Sequence, residues 1–112
     1  MKYYHNPRCG KSREGLALLH ENGHEPEIVE YLKEPLTPNE LKDLLHKLGI
    51  SADALIRKNE KVWKEEFKDK ELSDEELILA MIEYPKLMQR PILENGDKAA
   101  VGRPPEDLLG VV

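Results

Sequence analysis

Within its first 32 residues the chain changes hydrophobic period twice, and this constrains the architecture more than any other feature. Lys2-Tyr3-Tyr4 is short and β-prone. Leu16, Ala17, Leu18 and Leu19 then begin a helical pattern that stops at Asn22-Gly23. Pro26-Glu27-Ile28-Val29-Glu30-Tyr31-Leu32 returns to the alternating, β-branched and aromatic character of a strand. Strand, helix and strand in so short a span imply a parallel, right-handed unit.

The remainder supplies helices and then a hairpin. Thr37-Pro38-Asn39-Glu40 is a capping box with proline at the first helical position, and Leu41, Leu44, Leu45 and Leu48 follow at helical spacing up to Gly49. Ser51 is an N-cap for a short helix through Ala54, Leu55 and Ile56. Ser73-Asp74-Glu75-Glu76 opens another helix carrying Leu77, Ile78, Met81 and Ile82, which Pro85 ends or bends. Ile92-Leu93-Glu94 and Lys98-Ala99-Ala100-Val101 flank Asn95-Gly96, a strong hairpin signal, and a short terminal helix follows Pro104-Pro105. The stretch Arg57–Glu76 alternates in charge and reads as solvated linker and helix surface. Without its central helices the order is βαβ then ββα. The expected fold is therefore α/β, a thioredoxin- or glutaredoxin-like mixed sheet in one domain over 1–112, with a helical insertion at about 37–84 between the second and third strands.

Composition narrows the class of partner. One cysteine rules out an internal disulfide, and the start Met1-Lys2-Tyr3-Tyr4-His5 has no apolar signal region, so a reducing cytoplasm is expected. No run approaches the ~18 apolar residues of a membrane span. A formal net charge of −5 argues against nucleic acid. Against that background His5, Arg8, Lys11 and Arg13 form an unopposed basic cluster, suited to a small anion.

Cys9 lies inside this cluster, where the first strand hands over to the first helix. Flanking by Pro7, Arg8, Gly10 and Lys11 disfavours burial in apolar core. Helix N-terminal N–H groups and nearby positive charge favour thiolate over thiol and can also hold an oxyanion. Several chemistries fail on spacing. A phosphate-binding loop ending in Gly10-Lys11-Ser12 needs glycine where His5 stands. A Cys-x5-Arg phosphatase loop needs arginine where Gly15 stands, and a dithiol couple needs cysteine where Ser12 stands. A monothiol Cys-Gly-x-Ser glutaredoxin is disfavoured by Arg90 beside Pro91. His20 and His24 have metal-ligand spacing, but Asn22-Gly23 ends the helix between them, so no metal site is expected. His46 reads as a solvated helix flank, and Trp63 and Phe67 as packing for the insertion.

His5-Asn6-Pro7-Arg8-Cys9-Gly10-Lys11-Ser12-Arg13, the segments 39–49 and 50–58, Gln89-Arg90-Pro91-Ile92 and Gly102-Arg103-Pro104 together resemble, in order and at family spacing, the glutaredoxin-coupled arsenate reductase family of ArsC type, nearest its YfgD-like branch. The resemblance implies Cys9 as nucleophile and Arg57, Arg90 and Arg103 as an oxyanion site, a task suited to the planar, permanently charged guanidinium fork. It places His5 near the sulfur, where charge or hydrogen bonding would lower the thiol pKa, and Gly10, Lys11, Ser12 and Arg13 with Cys9 around the substrate. Pro91 becomes a cis-proline candidate. Arsenate or a similar oxyanion is the implied substrate, with glutathione as co-substrate, glutaredoxin as partner and no bound cofactor. Two other functions stay open: a non-arsenical glutathione-dependent thiol reductase or deglutathionylase using Cys9, and a non-catalytic thioredoxin-fold interaction module.

Overall fold

A computed structural model describes residues 1–112. The chain forms two compact units, Met1–Glu34 with Arg90–Val112, and Pro35–Gln89. The first holds a four-stranded mixed sheet: β1 (Lys2–Tyr4), β2 (Glu27–Val29), β3 (Ile92–Asn95) and β4 (Lys98–Val101), ordered β2-β1-β3-β4. β1 and β2 are parallel, joined through helix α1 (Gly10–Glu21), as a parallel connection requires. β1 pairs antiparallel with β3, Tyr4 opposite Ile92, and β3 with β4. This is the expected thioredoxin-like α/β arrangement.

β2 is shorter than its sequence pattern: only Glu27–Val29 pair, against an equally short β1, and Ile28 on this edge is exposed. The hairpin turn falls on Gly96-Asp97, because Asn95 already pairs with Lys98; Gly96 has φ +64°, which glycine adopts without steric cost. The C-terminal helix is a 3-10 helix, Pro105–Val111.

Tyr3, Leu19, Leu93 and Leu108 are completely buried together, with Leu16, Leu109 and Val111 packed against them. Two glycines let this core close. A Cβ on Gly15 would lie 2.4 Å from the Tyr3 hydroxyl, and one on Gly102 would lie 2.8 Å from Cγ of Pro91. Both the Arg90–Pro91 peptide, expected as a cis candidate, and the Arg103–Pro104 peptide, which nothing in the sequence marked, are cis.

The second unit is helical: α2 (Pro38–Leu48), α3 (Ala52–Leu55), α4 (Lys61–Glu66) and α5 (Asp74–Glu83). Thr37 and Ser73 each complete a reciprocal capping box, with Glu40 and Glu76, so both helices start where orphan N–H groups find side-chain partners. Leu41, Leu44 and Leu45 are the buried stripe of α2, which ends at Gly49 in the left-handed region. α4 was not expected: its neighbours are charged, but Trp63 is buried and stacks on Phe67, which meets Tyr84 edge-on. None of the helices is long and apolar enough to cross a membrane.

Candidate active site

Cys9 is the N-cap of α1, in extended backbone conformation, so the sulfur sits at the first turn with no acidic residue in that turn. A tight turn delivers it: the Cys9 N–H donates to the Asn6 carbonyl (3.0 Å), and the Arg8 N–H donates to the Asn6 side-chain oxygen (3.1 Å). Arg13, one turn along the helix, donates from Nη1 to the Pro7 carbonyl (2.9 Å) and staples the loop to α1. Its guanidinium thus holds the loop, while the Lys11 ammonium lies 3.7 Å from Glu14 on the exposed face. Space does not require glycine at position 10, where a Cβ would meet only Arg13 Nη2 at 3.8 Å.

The half-buried Cys9 thiol has a lowered pKa. Partial burial, the largest influence, pushes it up; the Ser12 N–H, the Arg90 guanidinium with its charge, and the Lys11 N–H favour the thiolate and overcome that push. Arg90 is the informative residue. Its Nε and Nη1 are buried and have no hydrogen-bond partner. Guanidinium nitrogens are donors only, so two buried, unspent N–H groups beside a thiolate are a site for an acceptor to fill. Arg103 donates from Nε to the Arg90 carbonyl (2.9 Å), which ties a second guanidinium residue to the first.

His5 is buried at 8% exposure, and its Nδ1 lies 2.7 Å from the hydroxyl of the wholly buried Ser12. Burial is the main reason its pKa is lowered; Arg13 adds to the shift and Glu30 opposes it. Of the two routes expected for His5, charge or hydrogen bonding, the neutral ring favours the second, acting through Ser12. The Ser12 hydroxyl also accepts from the Asn6 N–H (2.9 Å), joining β1, loop and helix at one oxygen.

Tyr3 and Asn6 were not singled out in the sequence. The Tyr3 hydroxyl donates to the Ser12 carbonyl (2.6 Å), and burial raises its pKa, so it stays a neutral donor. Asn-Pro is a turn signal that would have pointed to Asn6; Tyr3 reads only as a strand residue. Arg57 belongs to the helical unit. There its Nη1 pairs with Glu60, its backbone N–H donates to Leu87 O (2.7 Å), and its side chain is mostly buried. His20 and His24 fall on either side of Gly23, whose φ of +81° marks the end of α1.

Comparisons with known proteins agree along the whole chain. The profile of the ArsC family matches residues 4–111. A protein of Escherichia coli named "Uncharacterized protein YfgD" is 54% identical, the match covering 100% of this chain and 96% of that protein. An "Arsenate reductase" of Neisseria meningitidis is 43% identical over 100% of this chain and 97% of its own length. Among solved structures, "Arsenate reductase from Vibrio cholerae" superposes with a TM-score of 0.94 at 43% identity, covering 100% of this chain and 98% of that one.

Proposed function

Because the chain belongs to the ArsC family, we propose that it reduces arsenate to arsenite, with Cys9 as nucleophile and glutathione with glutaredoxin as the source of electrons. The observation that carries this reading is the Arg90 guanidinium, with two buried nitrogens that have no hydrogen-bond partner, whose charge favours the thiolate of Cys9 at the N-cap of α1. A tetrahedral oxyanion presents several acceptors to such a fork. The Cys9 thiolate attacks arsenic, a sulfur–arsenic bond forms, and one oxygen ligand leaves as water after protonation. Arg90, with Arg103, offsets negative charge as the adduct forms. Arg57 is carried as a third oxyanion ligand on family resemblance alone. An external thiol, read as glutathione, then attacks, and glutaredoxin removes the mixed adduct. Over the cycle arsenic gains two electrons, which two external thiols lose in closing a disulfide. With one cysteine, the chain cannot close that disulfide internally. The scheme uses glutathione as co-substrate and belongs in a reducing compartment such as the cytoplasm.

The test is arsenite formation by the purified protein with glutathione and glutaredoxin, set beside thioredoxin and its reductase alone. Turnover is expected in the first mixture only, and none from Cys9→Ser. Losing a charge-assisted contact worth about 1.5–3 kcal/mol slows Arg90→Lys roughly 10- to 150-fold. Activity in Cys9→Ser, or sustained turnover on thioredoxin without glutathione, overturns the mechanism. Wild-type rates in Arg57→Ala, Arg90→Lys and Arg103→Ala together overturn the oxyanion site.

A further inference from the structure

We propose that the groove beside the Cys9 loop is the seat of the external thiol, and that it takes a small peptide thiol with two carboxylates and one ammonium, the charge pattern of glutathione. The inference rests on the need for an external thiol in the reading above. The groove encloses about 230 Å³ and is lined on one side by the loop residues His5 to Arg8 and on the other by Glu30, Leu32 and Lys33, which follow β2. Cys9 is one residue from its wall and hydrogen-bonded to it, since the Cys9 N–H donates to the carbonyl of Asn6.

Its charges distinguish it from the oxyanion site. At Arg90 the unspent groups are all cationic donors, whereas the groove sets Arg8 and Lys33 against one carboxylate, Glu30. A bare oxyanion would be repelled by Glu30. A ligand with two carboxylates and one ammonium places each charge opposite its complement: carboxylates at Arg8 and Lys33, ammonium at Glu30. Arg8 is exposed and has no ion pair. The Lys33–Glu30 pair is loose, 3.6 Å apart with the lysine side chain 78% exposed, and pairs of that kind hold weakly enough for a ligand to take both partners. Leu32, 39% exposed, and Pro7 offer apolar surface for the methylenes between those charges. The volume suits a ligand of tripeptide size that is partly enclosed, in a groove whose Arg8 wall is next to Cys9 in the chain.

The test avoids arsenic. With a single cysteine, the protein reacts with an aromatic disulfide reagent to give one product, Cys9 linked to thionitrobenzoate. A thiolate attacking the Cys9 sulfur forms a new disulfide there and expels thionitrobenzoate, the better leaving group, which is read by its absorbance. Rates with glutathione are compared with those for uncharged β-mercaptoethanol. In the wild type the glutathione rate saturates with concentration. Lys33→Ala and Arg8→Ala each lower it about fivefold, and the double variant about twentyfold, with the β-mercaptoethanol rate unchanged. Lys98→Ala is the charge control. Register places Lys98 opposite Asn95, at the end of the sheet away from the loop, and it leaves both rates unchanged. Equal losses for both thiols, no loss for either, or the same loss in Lys98→Ala overturns the groove assignment. Glutathione selectivity in a protein that does not reduce arsenate would leave the groove standing and overturn the arsenate reading alone.

Discussion

Substituting Gly15 by alanine puts a methyl group where the fold has no room. The new Cβ would lie 2.4 Å from the Tyr3 hydroxyl, 2.9 Å from Cδ1 of Leu108 and 3.1 Å from Cγ of Pro91. Leu108 can yield at the end of a flexible side chain. Tyr3 cannot yield cheaply: it is wholly buried, and its hydroxyl is spent on the Ser12 carbonyl at 2.6 Å. Overpacking of this kind costs about 1–3 kcal/mol. Displacing the hydroxyl costs about 1 kcal/mol more for its hydrogen bond. Alanine returns about 1 kcal/mol, because Gly15 lies inside α1 and glycine is a poor helix residue. The net destabilisation of Gly15→Ala is therefore about 1–3 kcal/mol.

The test of that reasoning is a double-mutant cycle read by urea unfolding. Tyr3→Phe alone loses about 1 kcal/mol with the hydrogen bond. In the Tyr3→Phe background the worst contact is gone while the helix gain remains, so Gly15→Ala is close to neutral. The two substitutions should couple by about 1–3 kcal/mol, the double variant being more stable than the sum of the singles predicts. An additive cycle, or a Gly15→Ala variant more stable than wild type, refutes the account.

Cys9 alkylation followed against pH should inflect below the ordinary thiol value, and Arg90→Leu should move the inflection upward by removing the guanidinium that favours the thiolate. The His5 ring should titrate below its ordinary 6.5 by NMR. Since the unfolded chain then binds the proton first, His5 contributes stability above pH ~6.5 that is lost as pH falls toward its folded pKa, a pH dependence that His5→Gln abolishes. Thr37→Ala removes one half of the α2 capping box and should cost about 1 kcal/mol in urea unfolding, within the range for N-caps.

The features legible in the sequence are those written locally. A capping box, a glycine stop and an Asn-Gly hairpin signal are each written in neighbouring residues, so α2, α5 and the hairpin were readable, although the turn itself falls one residue later, on Gly96-Asp97. Those that escaped depend on residues far apart in sequence. β2 pairs over only three residues because its partner β1 is that short, a limit its own alternating pattern does not contain. α4 is anchored by one buried tryptophan stacked on Phe67 at the helix's own C-cap, and Phe67 in turn meets Tyr84, seventeen residues on, so a charge-rich window hides an anchor completed from the end of α5.

The candidate site divides along the same line. Cys9 in a basic loop at a strand-to-helix junction was visible because its effectors, the Lys11 and Ser12 N–H groups, are two and three residues away. Residue type singled out Arg90, but the burial that leaves two of its nitrogens without a partner is a property of the fold. His5 shows why composition misleads about mechanism. A histidine among Arg8, Lys11 and Arg13 suggests a cation beside the thiol, yet folding buries it, and burial together with Arg13 favours the neutral ring over the imidazolium. The thiolate is then held by groups that carry their positive character at every pH near neutrality: backbone N–H groups and a guanidinium. It follows that protonation of His5 is not what sustains the thiolate. Substituting His5 by glutamine, which retains a hydrogen-bonding side chain for Ser12, should therefore leave the Cys9 inflection below the ordinary thiol value, whereas Arg90→Leu should not spare it. An inflection restored to the ordinary value in His5→Gln, with Arg90→Leu unchanged from wild type, would assign the thiolate to the histidine and remove the basis for the electrostatics derived from the helix N-terminus.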